Sequence, residues 1–186
     1  YQAMKHLESE GVRIVIVSDN PLDIPHLLVP ESFRPQHARY KARALEYFRI
    51  MTGFQDDDWV LHLDEESVID RQSLQACLEF CRKSKHLMGQ GPILYNNHNF
   101  WKFPIFTAAD CIRTADDMGR FHLQYSLIRK PIFGVHGSFL LINGRLENEV
   151  TWDLSYSINE DYEFAIHCMK RGYGCGAIDG LSLIHI

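Results

Sequence analysis

The acids with the clearest chemical potential follow a short apolar run: Trp59-Val60-Leu61-His62-Leu63 leads directly into Asp64-Glu65-Glu66. If residues 59–63 are a strand, alternation sends Asp64 and Glu66 to one side and Glu65 to the other. Two carboxylates together at a strand end make a hard-oxygen site, suited to Mg²⁺ or Mn²⁺ shared with phosphate oxygens. The same acids also fit a solvated turn ahead of a helix, where negative charge favours the N-terminus. The residues alone leave both readings open. A second acidic pair, Glu160-Asp161, follows Asn159 at the start of a helical pattern. Capping and the helix dipole give carboxylates an ordinary place there. Asp161, however, shares a face with Phe164, Ala165 and Cys168. An inward acid is costly unless something binds it, which favours a site. The third stretch, Lys41-Ala42-Arg43-Ala44-Leu45, is by itself an ordinary amphipathic helix start.

These residues need elements to hold them. Residues 12–17 (VRIVIV) form an almost continuous apolar run ending in Ser18-Asp19-Asn20-Pro21. The run suits a parallel strand buried on both faces, which would put Asp19 at its carboxyl end, where open α/β sheets bind ligands. A short strand is expected around residues 27–29, and the spacing predicts a helix over 41–51 stopped by Gly53. Leu74, Cys77, Leu78 and Cys81 recur at helical spacing after Asp70, a good N-cap. Residues 91–95 read as a strand, 96–130 as partly helical, and 139–142 as a strand followed by Asn143-Gly144, a two-residue turn signal. A last helix is expected over 160–171, closed by Gly172, with a strand beginning at 177–178. The alternation predicts an α/β fold with a mostly parallel central sheet flanked by helices.

The 186 residues, 46% of them hydrophobic, suffice for one domain with a sizeable core. A net charge of -5 argues against a broad nucleic-acid surface. The five cysteines, Cys77, Cys81, Cys111, Cys168 and Cys175, include no CxxC pair and suggest a reducing, cytosol-facing setting. No apolar run is long enough to span a bilayer, and no P-loop, GxGxxG, GxSxG or HExxH is present. Among weaker candidates, His62 reads as a packed strand residue, His136 as a turn or substrate contact, and Asp56-Asp57-Asp58 as a solvated loop. Asp116-Asp117 reads as a cap or turn, and Trp101 and Phe103 as core or sugar-stacking aromatics.

Taken in order, Asp19 after a first strand, Lys-Ala-Arg-Ala-Leu at 41–45, a strand into Asp-x-Glu at 64–66, and Glu160-Asp161 on a helix resemble glycosyltransferase family 2. Within it the chain is similar to the egghead-type β-1,4-mannosyltransferases, through those stretches together with Gly89-Gln90-Gly91, Asp116-Asp117-Met118-Gly119 and Gly137-Ser138. The likeness covers about residues 10–180. It implies a nucleotide-diphospho-sugar transferase (GT-A) fold and a single catalytic domain over 1–186, incomplete at both ends. It implies that Asp19 contacts the nucleotide and that Lys41 and Arg43 lie near its binding face. Asp64 would hold the donor and, with Glu66, a Mn²⁺ or Mg²⁺ ion; Asp161 would be the general base of an inverting transfer. The implied donor is GDP-mannose and the implied acceptor a glucosylceramide-type glycolipid, on ER or Golgi membranes with this part facing the cytosol. Membrane contact would come through flanking segments. The chain departs from the family pattern in having Asp-Glu-Glu at 64–66, a form that egghead-like proteins share, and in lacking Gln/Arg-x-x-Arg-Trp after the last helix. Residues 181–186 match nothing in the family pattern. Competing readings are a family 2 transferase using a UDP-sugar, a non-catalytic domain keeping the fold, and a metal-dependent phosphoryl or nucleotidyl enzyme.

Overall fold

The computed structural model describes residues 2–96, 104–154, 159–180 and 182–185. A 3-10 turn at Lys5–Glu10 precedes β1 (Val17–Ser18) and β2 (Leu27–Leu28), which pair in parallel. Then follow α1 (Tyr40–Thr52), β3 (Trp59–His62), β4 (Ser67–Ile69), α2 (Arg71–Lys83), β5 (Met88–Gln90) and β6 (Ile93–Asn96). The second half holds α3 (Pro104–Phe121) continued by a π-helical stretch (His122–Ile128), β7 (Leu140–Asn143), α4 (Gly144–Val150), α5 (Glu160–Lys170), β8 (Gly176–Ala177) and β9 (Ser182–His185).

The central sheet has the order β3-β7-β5-β8. β7 is antiparallel to both β3 and β5, while β5 and β8 are parallel. Three of the four strands therefore run the same way, but the reversed β7 lies between β3 and β5, so two of the three ladders are antiparallel. β4, β9 and β6 form a second ladder. β7 is buried on both faces, so its alternation feeds two cores. Leu140 and Ile142 join Met88, Leu146, Trp152, Phe164 and Cys168 on one side. Phe139 and Leu141 join Ile69, Leu74, Cys77, Ile93 and Ile178 on the other. Each such large side chain contributes roughly 2 kcal/mol on burial, which makes this strand the anchor of the fold.

Several expectations are met. Asp70 caps α2 by accepting from the Ser73 amide at 2.8 Å, and Gly53 ends α1 at φ 61°. Residues 104–128 are helical throughout. Trp101 and Phe103 lie outside the described residues. Three expectations are corrected. The run at 12–17 is not a strand buried on both faces: only Val17 and Ser18 find ladder partners, and alternate residues such as Val15, 37% exposed, face outward. Asn143-Gly144 is not a hairpin turn. The Asn143 side chain accepts from the Arg145 amide at 3.2 Å and donates to the Asp56 and Asp58 carbonyls, so β7 passes directly into α4. Gly144 is required by close approach, since a Cβ there would lie 2.5 Å from the Gln55 carbonyl. Asp116-Asp117 is neither cap nor turn but the interior of α3.

One buried polar network ties α1, β3 and α4 together. Glu147, fully buried, accepts from Trp152 Nε1 at 2.7 Å and pairs with His62 Nε2 at 3.2 Å. Glu46 on α1 accepts from Arg49 and from the Trp152 amide at 2.9 Å. His62 ends the strand that leads to Asp64, so this network sets where Asp64 emerges. Glu147→Ala leaves the indole and imidazole nitrogens without their buried partner, and should cost about 3 kcal/mol. A lowered urea midpoint with unchanged slope would register that loss.

Candidate active site

The site is built where three separate segments meet. β3 ends at His62, and Asp64 begins a turn closed by the Ser67 amide on the Asp64 carbonyl at 3.0 Å. Asp64 and Glu66 thus share a turn, not a strand face: the ladder partner β7 opens with Leu140, opposite His62, and pairing stops there. Asp64 faces inward and is half-buried, whereas Glu66 is exposed and makes no ion pair among the described residues. Lys41, in the first turn of α1, sends its ammonium onto Asp64 Oδ1 and reaches Glu160 Oε1 at 3.7 Å. Asp161 is half-buried at the start of α5, and its Oδ1 accepts from the Tyr162 amide at 2.7 Å.

The floor of this meeting point is Gly137. A Cβ placed on it would sit 2.7 Å from Lys41 Nζ and 3.6 Å from Asp161 Oδ2. A side chain here would press on the Lys41 ammonium, while Asp161 would remain at ordinary contact distance, so the glycine leaves room for the ammonium. The segment is held in place from behind. Gln90, buried in β5, donates to the Ser138 and Phe139 carbonyls at 2.8 and 3.0 Å and accepts from the His136 amide at 2.9 Å. Ser138 Oγ bonds Ser67 Oγ at 2.5 Å and accepts weakly from the Asp64 amide at 3.4 Å.

Electrostatically, Asp64 and Glu160 both pair with the Lys41 ammonium, and the charge of the neighbouring Asp161 acts on Glu160 as well. Burial raises the Glu160 pKa above the ordinary 4.5, the charges of Asp161 and Asp64 push the same way, and its own amide and Lys41 oppose them. Asp19 and Arg43 form a second node of α1. Arg43 pairs with Asp19, and its remaining nitrogens donate to the carbonyls of Phe33, at 2.9 Å, and Pro30. The base of α1 is further anchored by Asp153, which accepts from the amides of Gln36, His37 and Ala38 at 3.0, 2.6 and 2.6 Å. Burial opposes ionisation of Asp153, but these three amides outweigh it and lower its pKa.

The structure therefore brings together Asp64, Lys41 and Asp161, and separately Asp19 and Arg43, while Glu66 stands at the exposed edge of the same turn as Asp64. Sequence reasoning missed Glu160, read there only as a helix-start acid, and the supporting roles of Gln90, Ser138 and Asp153. Burial pushes the Cys77 and Cys168 thiols up to about 12, the Cys81 charge adding at Cys77, so neither is a nucleophile candidate.

Comparison with known proteins follows the same residues. The profile of "Glycosyl transferase family group 2" matches residues 59–185, a span that includes Asp64, Gly137 and Asp161. The chain belongs to glycosyltransferase family 2. Its fold is therefore the GT-A fold of that family, with the reversed β7 inside the sheet. It is 35% identical over 176 residues to "Beta-1,4-mannosyltransferase bre-3" of Caenorhabditis briggsae and, to the same extent, of Caenorhabditis elegans. It is 33% identical over 182 residues to "Beta-1,4-mannosyltransferase egh" of Drosophila melanogaster. These alignments cover 89% to 92% of this chain, but only 38% to 40% of the relatives. The chain thus spans about two fifths of the length of the curated relatives it matches.

The raised Glu160 yields a signed prediction. A carboxyl whose folded pKa is raised loses stability as pH rises from its ordinary value of 4.5 through the folded one. Glu160→Gln, which mimics the protonated form, should melt higher than the parent at pH 7.5. The advantage should shrink on acidification and vanish below 4.5, the ordinary value. Melting curves across that range check it; an advantage that grows on acidification contradicts the assignment.

Proposed function

We propose that this chain is the catalytic part of an inverting, metal-dependent transferase that moves mannose from GDP-mannose to a glucosylceramide-type glycolipid. In this reading residues 1–186 are one catalytic domain. The observation that carries the proposal is the meeting of Asp64, Lys41, Glu160 and Asp161 over Gly137, from elements far apart in sequence. The choice of mannose is supported by the printed names of the relatives, and the donor nucleotide and lipid acceptor by the egghead-type motifs.

Asp64 and Glu66 would hold the Mn²⁺ or Mg²⁺ ion. Their chemistry fits it: both are hard oxygen donors from one turn. Among the described residues no three His, Cys, Asp or Glu gather at metal-holding distances, so the chain offers two carboxylates and leaves the remaining positions to donor phosphates. When bound, the ion offsets diphosphate charge and acts as a Lewis acid toward the leaving group. Asp19 and Arg43 bind the nucleotide, and Lys41 lies beside its phosphates. Asp161 accepts the proton of the acceptor hydroxyl, whose oxygen attacks the anomeric carbon from the face opposite the diphosphate. The bond from that carbon to the phosphate oxygen breaks, and the configuration inverts.

A lipid acceptor places the reaction at a membrane surface, on the cytosolic side of the ER or Golgi. No helix among the described residues is long and apolar enough to cross a bilayer. The exposed side chains of Ile105, Phe106, Ile112 and Leu127, along α3 and the π-helical stretch, support contact with lipid.

Two measurements on the full-length gene product test this. With Mn²⁺, GDP-mannose should raise the melting temperature while UDP-glucose and UDP-N-acetylglucosamine should not. Stabilisation by UDP-sugars alone would overturn the mannose donor. Asp161→Asn should lower mannose transfer by about a thousandfold while leaving donor stabilisation intact. Undiminished transfer would remove Asp161 from the chemistry.

A further inference from the structure

A pocket opens along the segment that leads into Gly137, and one of its buried polar groups, Asp117, takes no part in the site described above. It is walled by α3, the π-helical stretch and the segment 133–136, with Asp117, Arg120, Tyr125, Phe133 and His136 among its lining. Asp117 is only 7% exposed. Its Oδ1 accepts from Arg120 at 3.0 Å and lies 3.4 Å from His136 Nε2. Its Oδ2 has no hydrogen-bond partner among the described residues. A buried carboxylate oxygen without a donor is costly, so such a group calls for a partner from outside the chain.

The chemistry of the missing donor follows from the walls. An unpaired carboxylate oxygen repels phosphate, so the nucleotide diphosphate does not belong here. It accepts well from a hydroxyl, and the Arg120 guanidinium alongside can donate to a neighbouring oxygen. The half-exposed Phe133 ring offers a flat apolar wall, suited to the C–H face of a pyranose. A neutral polyhydroxyl ring is the ligand that fits all three.

The pocket also adjoins the proposed base. Its wall at residues 133–136 runs on into Gly137, against which Asp161 packs. A Cβ on Gly134 would meet Tyr162, the residue after Asp161, at 2.5 Å. Tyr125, which donates to the Gly134 carbonyl at 2.9 Å, has its phenol pushed up by burial, by Cys175 and by the charge of Asp161. A sugar seated on Asp117 would therefore share the wall that leads through Gly137 toward the proposed base.

We infer that this pocket is the subsite for the acceptor's terminal sugar, with Asp117 Oδ2 accepting a hydrogen bond from a ring hydroxyl that is not the attacking one. Asp117 is thereby a specificity-determining residue. The inference rests on the transferase reading above.

The test uses the full-length gene product with Asp117→Asn and, because Phe133 is half-exposed and outside both cores, Phe133→Ala. At saturating donor, the acceptor KM should rise about tenfold in the first variant and about threefold in the second, with the donor KM unchanged. An unchanged acceptor KM in both variants, or a raised donor KM in either, would overturn the inference. A readout independent of transfer separates it from the parent reading: saturation-transfer NMR with methyl β-D-glucopyranoside. A signal in the wild type that Asp117→Asn removes supports the subsite even if no mannose is transferred, in which case the donor reading is what fails. No signal in the wild type, or an undiminished one in Asp117→Asn, overturns the subsite.

Discussion

One ammonium governs the arrangement of this site. Lys41 stands among Asp64, Glu160 and Asp161, and without it three carboxylates would face each other across a half-buried space. The opposite charge lets the turn after β3 and the first turn of α5 approach one another, and Gly137 lets them do so without a side chain between. The Glu160 pKa is raised chiefly by burial, with Asp161 and Asp64 adding to it and Lys41 opposing. In the proposed reading, a divalent cation bound with the donor would add positive charge beside these carboxylates.

The fold serves that arrangement by making its supports rigid. β7 feeds both cores and carries Phe139 and Ser138 at its entrance, so the floor of the site hangs from a strand buried at every position. Gln90 grips the same segment from β5, and the Glu147 network fixes β3 from the other side. These polar contacts are satisfied internally; among the described residues the buried side-chain atoms without a hydrogen-bond partner are His26 Nε2 and Asp117 Oδ2. Of the two, Asp117 lines a pocket, where a ligand can supply the missing donor.

What was legible in the sequence followed from local rules. Asp70 as a cap, the α1 and α2 helices, the strand before Asp64 and the inward face of Asp161 all depend on residues within a few positions of each other. Asp161 stood out because an acid on an apolar face needs a partner. What stayed illegible depends on distant contacts. Glu160 looked like a cap because its partner, Lys41, lies on a helix more than a hundred residues earlier. Asn143-Gly144 carried the signature of a hairpin, but the Asn143 amide finds two carbonyls in the loop before β3 and the chain turns helical instead. The apolar run at 12–17 read as a buried strand, whereas only its last residue enters the ladder, as Val17 beside Leu27. Asp117 read as part of a cap or turn, whereas it lies inside α3 and lines the pocket with residues 133–136.

The central claim is that Asp64 and Glu66 meet a cation brought by a nucleotide diphosphate, at the place where Lys41 now balances the charge. Electron paramagnetic resonance of free Mn²⁺ reads this directly. Adding protein alone should diminish the free-ion signal weakly, and adding protein with GDP-mannose should diminish it strongly. Asp64→Asn should restore most of that signal. If Asp64→Asn sequesters Mn²⁺ and donor as well as the parent does, the cation lies elsewhere and the account is wrong.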